Sequence, residues 1–157
     1  MDLLALPLTY RATIPESYLD EMGHMNVMWY THLFSEATGG LYDLVGLTRG
    51  YFEANQAGSF ALEAHVRYLA EVLAGKQVAV RSRLLGRSAK RLHFLHFLVM
   101  EEGQVLAATG EFVGTHIDMR VRRSSPFPPA VAEALDRLGD AHARLSWEAP
   151  VCGVMKP

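Results

Sequence analysis

The chain has 157 residues, half of them apolar, and a formal net charge of −2. That length points to one domain, with apolar material for a sizeable core and an apolar subunit contact besides. Positive and negative side chains are interspersed, which excludes a general affinity for nucleic acid or an anionic membrane surface.

The N-terminal run Met1-Asp2-Leu3-Leu4-Ala5-Leu6-Pro7-Leu8 holds an acid where a signal peptide needs positive charge. Residues 6–14 alternate loosely and stop at Pro15, which predicts a first strand. A polar loop over 16–24 follows. From about 26 to 47 the apolar residues Val27, Tyr30, Leu33, Phe34, Ala37, Leu41, Leu44 and Val45 recur by threes and fours, so they share one helical face. Gly39-Gly40 lies inside this helix, where glycine costs ~1 kcal/mol against alanine. A break, or close approach to a sheet, would account for the pair, and close approach is the better fit.

A short helical or irregular piece over 48–55 precedes four predicted strands, at 61–69, 76–85, 91–100 and 104–119. In the first, Leu62, Ala64, Val66 and Tyr68 point one way and Glu63, His65 and Arg67 the other. The short separators Ala74-Gly75, Gly86-Arg87-Ser88 and Glu101-Glu102-Gly103 favour antiparallel neighbours. The strand through Leu92–Val99 is apolar on both faces, as a central strand covered on both sides would be. Pro126, Pro128 and Pro129 end the sheet, and 129–144 reads as a surface helix with Val131, Leu135 and Leu138 on one side. The tail carries the sole cysteine, Cys152, which cannot close an internal disulfide and so suits a reducing compartment. No positioned base is evident for it as a nucleophile. No apolar run approaches the roughly 18 residues of a membrane span, and the chain reads as cytoplasmic.

The order strand, long helix, four strands, terminal helix is an α+β arrangement, residues 1–157 forming one domain in which a central helix is wrapped by a curved antiparallel sheet. A single sheet on a single helix leaves edges exposed, so a homodimer or homotetramer is expected.

Chemistry concentrates in Asp20-Glu21-Met22-Gly23-His24-Met25-Asn26-Val27-Met28-Trp29-Tyr30, where the polar loop enters the helix. The first turn of a helix presents unpaired N–H groups and positive dipole, a site for a developing anion. Asp20 stands a few residues before it. A carboxylate can attack a carbonyl or activate water while such amides hold the oxyanion. Gly23 permits the turn and Asn26 is a good N-cap residue; a plain loop acid and a plain cap are the alternative reading.

The pattern Asp-x-x-Gly-His-x-Asn-x-x-x-Tyr at 20–30, followed by Glu36-Ala37, resembles the signature of hotdog-fold acyl-CoA thioesterases of the 4-hydroxybenzoyl-CoA thioesterase type. The run from Phe60 to Glu71 with Gly75 is similar to the strand pair after the helix in that family. Lys90–His96, His116–Met119, Arg122-Arg123 and Pro126-Phe127-Pro128 resemble a narrower subgroup, which includes betainyl-CoA thioesterases and the thioesterase domain found with carnitine dehydrogenase. The resemblance runs from about Arg11 to Pro129. It implies a hotdog fold and hydrolysis of a small acyl-CoA to free acid and CoA. Asp20 would be the catalytic carboxylate and the Val27 N–H would polarise the thioester carbonyl, with Gly23, His24 and Asn26 shaping the pocket. Many relatives have asparagine at the Val27 position and an acid at the Tyr18 position, so the substrate is less fixed than the reaction.

Beyond the loop, Glu36 is a candidate helix acid, though support of the pocket is the commoner role. Glu63 shares a face with His65 and Arg67 and reads as an ion-pair partner or a site-lining acid. Trp29, off the main apolar face, is a candidate for the acyl pocket. Lys90 and Arg91, with Arg120, Arg122 and Arg123, could meet the phosphates of CoA or form a solvated rim. His93 and His96 point to opposite faces of their strand and cannot chelate together. No metal and no cofactor are implied, CoA entering as part of the substrate. Two other readings stay open: an acyl-CoA hydratase or dehydratase on the same scaffold, and a non-catalytic acyl-CoA-binding domain.

Overall fold

The structure is a computed structural model and describes residues 1–157. In chain order the elements are β1 (Leu8–Thr13), α1 (Val27–Asp43), α2 (Arg49–Asn55), β2 (Ala57–Tyr68), β3 (Gln77–Arg87), β4 (Arg91–Met100), β5 (Val105–Asp118), β6 (Arg123–Ser124) and α3 (Pro129–Ala143). Short 3-10 turns occupy Leu3–Ala5, Glu16–Tyr18 and Glu102–Gln104. The strands form one sheet in the order β1-β3-β4-β5-β2, with β6 attached to β5. β1 runs antiparallel to β3, with Tyr10 opposite Val80 and Thr13 opposite Gln77. By Cα packing the chain divides into two compact units, residues 1–41, 66–82 and 96–110 in the first, 42–65, 83–95 and 111–157 in the second.

In the first unit α1 buries Tyr30, Leu33, Phe34, Ala37 and Leu41, and on the strands Val78, Val80, Phe97, Leu98, Ala107 and Ala108 are buried, the consecutive pairs on opposite faces of the sheet. Close approach, not a break, explains the glycine pair. A Cβ on Gly40 would lie 2.1 Å from the Thr9 carbonyl oxygen, whereas one on Gly39 would meet nothing within 4 Å. A polar chain crosses this core. Thr9 Oγ1 meets Ser82 Oγ at 2.6 Å, Ser82 Oγ meets His96 Nδ1 at 2.6 Å, and His96 Nε2 meets Thr38 Oγ1 at 3.0 Å. Thr38 donates its own proton to the Phe34 carbonyl, so its oxygen accepts from His96, and Nδ1 is left to accept from Ser82. Burial holds His96 neutral, its pKa pushed down to about 3.

In the second unit Tyr42, Phe94, Phe112, Val113 and Ile117 are buried, and α3 contributes Val131 and Leu135. His142, in the last turn of α3, accepts the Leu84 N–H at 2.8 Å. The Arg83 guanidinium donates to the carbonyls of His142 and Trp147 and lies 4.4 Å from the Trp147 ring centre.

Several expectations need correction. The long helix ends at Asp43, and the turn through Gly46 (φ +84°) leaves Leu44 exposed, while Val27 at the other end is 58% exposed. Helical spacing marks a face but not which ends of it the sheet reaches. The piece at 48–55 is a regular helix, capped by Thr48 through the Tyr51 N–H. β2 starts at Ala57 and is an edge strand, and neither of its alternating faces is buried. β6 went unpredicted, since two residues carry no periodicity.

Candidate active site

The segment before α1 folds into a closed loop within the first unit. Leu19 and Met25 form a β-bridge, the Asp20 N–H donates to the His24 carbonyl at 2.9 Å, and the Gly23 N–H returns to the Asp20 carbonyl at 3.0 Å. Gly23 has φ +83°, a conformation that a side chain would strain, so the glycine is what lets this turn close. Met25 donates to Val72 and Asn26 to Tyr18, which ties the loop to its surroundings from both sides.

That loop holds the Asp20 carboxylate by one oxygen and sets the other near His24. Oδ1 accepts the Met22 N–H at 2.9 Å, and Oδ2 lies 3.5 Å from His24 Nδ1. The Asp20 side chain is 25% exposed, partly withdrawn from water yet reachable. Asn26 caps the helix: its Oδ1 accepts the Met28 N–H at 3.0 Å and its carbonyl accepts the Trp29 N–H. The Val27 amide is the one first-turn donor among these with no acceptor in the chain. It stands at the positive end of a 17-residue helix.

Val27 and His24 line a groove of about 290 Å³ together with Met25, Tyr30, Tyr68, Leu69, Ala70 and Glu71. The far wall is rigid. Leu69 and Ala70 both donate to the Ala107 carbonyl, Tyr30 Oη donates to the Ala70 carbonyl at 3.4 Å, and Tyr30 and Tyr68 meet edge to face. Burial first, then Tyr68 and Glu71, raises the Tyr30 phenol above its ordinary pKa, so it stays a neutral donor.

The structure therefore brings Asp20, Gly23, His24, Asn26 and Val27 into one constellation. His24 is the link, facing Asp20 on one side and the groove on the other. Trp29 does not line the groove; it stacks on Tyr18 at 3.6 Å with the planes 7° apart, and His32 stands edge-on to both rings. Glu36 is exposed on α1, close enough to Tyr10 to raise its phenol pKa, behind burial as the larger cause. Glu63, Lys90 and Arg91 belong to the second unit and are exposed. Glu63 is not the partner of His65, which faces Glu111 instead. Arg120 is already engaged by Asp118, and Arg122 lies over Phe60. Tyr68, Leu69, Ala70 and Glu71 escaped sequence reasoning as groove residues. They lie in the run that carries the family resemblance, but nothing local shows that its C-terminal end faces the helix start.

The chain matches the model of the Thioesterase-like superfamily over residues 15–135. It is 35% identical over 138 residues to the betainyl-CoA thioesterase of Pseudomonas aeruginosa, a match covering 87% of this chain and 86% of that protein. It is 36% identical over 129 residues to the L-carnitine dehydrogenase/betainyl-CoA thioesterase of Agrobacterium fabrum, covering 82% of this chain but only 26% of that longer protein. A Staphylococcus aureus protein solved in complex with CoA superposes with a TM-score of 0.82 at 26% identity, over 91% of this chain and 90% of that one. Fold, family match and relatives together define a hotdog-fold thioester hydrolase. The chain belongs to the Thioesterase-like superfamily, and betainyl-CoA thioesterase is among its relatives. No helix is long and apolar enough to cross a membrane.

Proposed function

We propose that the chain hydrolyses a small acyl-CoA to the free acid and CoA, with Asp20 as the catalytic carboxylate and the Val27 amide as the oxyanion donor. The observation that carries this reading is the unaccepted Val27 N–H, which lines the groove together with His24, whose ring lies 3.5 Å from the Asp20 carboxylate. With the thioester carbonyl at Val27, the amide and helix dipole stabilise the negative charge that grows on oxygen. Asp20 either takes a proton from water as it attacks, or attacks directly and is regenerated when water cleaves the anhydride. The C–S bond breaks, and CoA leaves as the thiol once it takes up a proton. His24 positions Asp20, Gly23 shapes the loop, and Asn26 leaves Val27 free by occupying the next amide itself. The reaction so written uses water and no cofactor.

The relatives' betainyl-CoA specificity supports a short acyl group bearing a quaternary ammonium. Trp29, in the helical turn that carries Val27 and stacked on Tyr18 of the preceding 3-10 turn, and the exposed Glu36 carboxylate offer the aromatic and anionic surfaces such a cation prefers. The CoA complex of the S. aureus protein supports CoA as the carrier. A second copy is expected along the edge strand β2, whose Phe60, Leu62 and Tyr68 are exposed. The single free cysteine fits a cytoplasmic enzyme.

The test is a panel of acyl-CoAs read by release of free thiol, run on the chain and on Asp20→Asn. The amide keeps an acceptor for the Met22 N–H, so the melting temperature should hold while kcat falls at least ~100-fold. Near-normal turnover by the variant would overturn the assignment. Binding across the panel without turnover would favour a binding domain, and hydration of an enoyl thioester would favour a hydratase. Single-turnover oxygen labelling separates direct attack from activated water.

A further inference from the structure

We propose that His65, Glu111 and Cys152 form a site for a divalent cation of zinc type, tying the C-terminal tail to strands β2 and β5. The three lie far apart in sequence, yet His65 on β2, Glu111 on β5 and Cys152 in the tail bring one imidazole nitrogen, one carboxylate oxygen and one sulfur within 4.8 Å of one another. All three belong to the second unit, and none belongs to the Asp20 loop.

The centre of the cluster is Glu111, 1% exposed in a strand whose neighbours Phe112 and Val113 are core. A carboxylate so placed is costly unless donors or a cation surround it. Here Oε1 meets His93 Nε2 at 2.7 Å, and Oε2 accepts the Cys152 N–H at 2.7 Å and faces His65 Nδ1 at 3.9 Å. Both oxygens thus have partners, and the second one faces the Cys152 segment of the tail and a half-exposed imidazole.

The donor set matches the chemistry of zinc. Nitrogen, sulfur and carboxylate oxygen are its three protein ligand types, and three such ligands leave a fourth position for water. Bond lengths of roughly 2.0–2.3 Å put tetrahedral ligands about 3.3–3.6 Å apart, so the longest side of the triangle must contract by up to about 1.5 Å. Its two outer members can supply that movement. His65 has a 44% exposed side chain, and Cys152 sits in a tail without regular structure, whereas Glu111 is fixed. His93, hydrogen-bonded to the free oxygen of Glu111, plays the outer partner that orients a ligating carboxylate. Binding would release the Cys152 thiol proton, the thiolate being the ligand. The expectation of no metal came from ligand spacing along the chain, which cannot register donors that pairing strands bring together.

The test is cobalt(II) titration of the chelator-treated chain, followed in the visible and near-ultraviolet. One equivalent should give tetrahedral d–d bands and a sulfur-to-cobalt charge-transfer band, both displaced by zinc, with a rise in melting temperature. Cys152→Ser should abolish the charge-transfer band and weaken binding at least ~10-fold, and His65→Gln, at an exposed position, should weaken it similarly. Both variants should melt within a few degrees of the metal-free parent. Absence of saturable binding near one equivalent would overturn the proposal. So would saturable binding that lacks the thiolate band and is indifferent to Cys152→Ser.

Discussion

Asp20 turns one carboxylate oxygen to its own loop and the other to His24, and that division is what makes a loop acid usable. The Met22 amide fixes its orientation without closing off the second oxygen. His96 shows the opposite use of a titratable group. Fully buried between Ser82 and Thr38, it is held neutral in the folded chain down to a pH of about 3, whereas an unfolded histidine takes up its proton near 6.5. Between those values the unfolded state binds the extra proton, so stability falls as the pH falls, by roughly 1.4 kcal/mol per unit. We expect denaturant unfolding to lose about 2 kcal/mol between pH 7 and pH 5 from this residue. That range lies above the window of the depressed carboxylates, including Asp118 with its pKa of about 2. His116 and His142, also shifted down by burial, act in the same direction. His96→Gln, which keeps a donor and an acceptor, should flatten the slope. An unchanged slope would show that the pH dependence arises elsewhere.

At the scale of elements, the last turn of α1 rides with its backbone directly on β1. Gly40 has no room for a methyl group, the Thr9 carbonyl standing 2.1 Å from where a Cβ would be, while Gly39 has open space. Gly40→Ala should therefore cost 2 kcal/mol or more, on the order of an overpacked core site, by pushing helix and strand apart. Gly39→Ala should stabilise by up to ~1 kcal/mol through helix propensity alone. Equal effects in thermal unfolding would refute the close approach. The glycine pair was legible in the sequence as a place where the helix must break or touch, and its period of three and four gave the buried face from Tyr30 to Val45. Which of the two glycines makes the contact was not legible, because that depends on the strand laid against the helix.

For the whole molecule the edge strand matters most. β2 pairs with β5 on one side only, runs twelve residues, and exposes Phe60, Leu62, Tyr68 and the adjacent Leu69. An unpaired edge of that length and polarity is a template for another strand unless something covers it. With a second copy as the cover, light scattering should give twice the 17.4 kDa chain mass, and Leu62→Lys should shift the population toward the monomer. A monomer at all concentrations would remove the second copy from the account.

The sequence by itself determined the element order, the buried helix face, the central strand covered on both sides, and the loop of Asp20, Gly23, His24 and Asn26 at the helix start. These are local matters, written in periodicity, turn residues and spacing within about ten positions. Tertiary structure alone decided that Tyr68 to Glu71 wall the groove beside Val27, that Trp29 lies on Tyr18, that β2 is bare on both faces, and that His65, Glu111 and Cys152 converge. Those features depend on how separate elements pack and pair, which leaves no mark in the local pattern of any one of them.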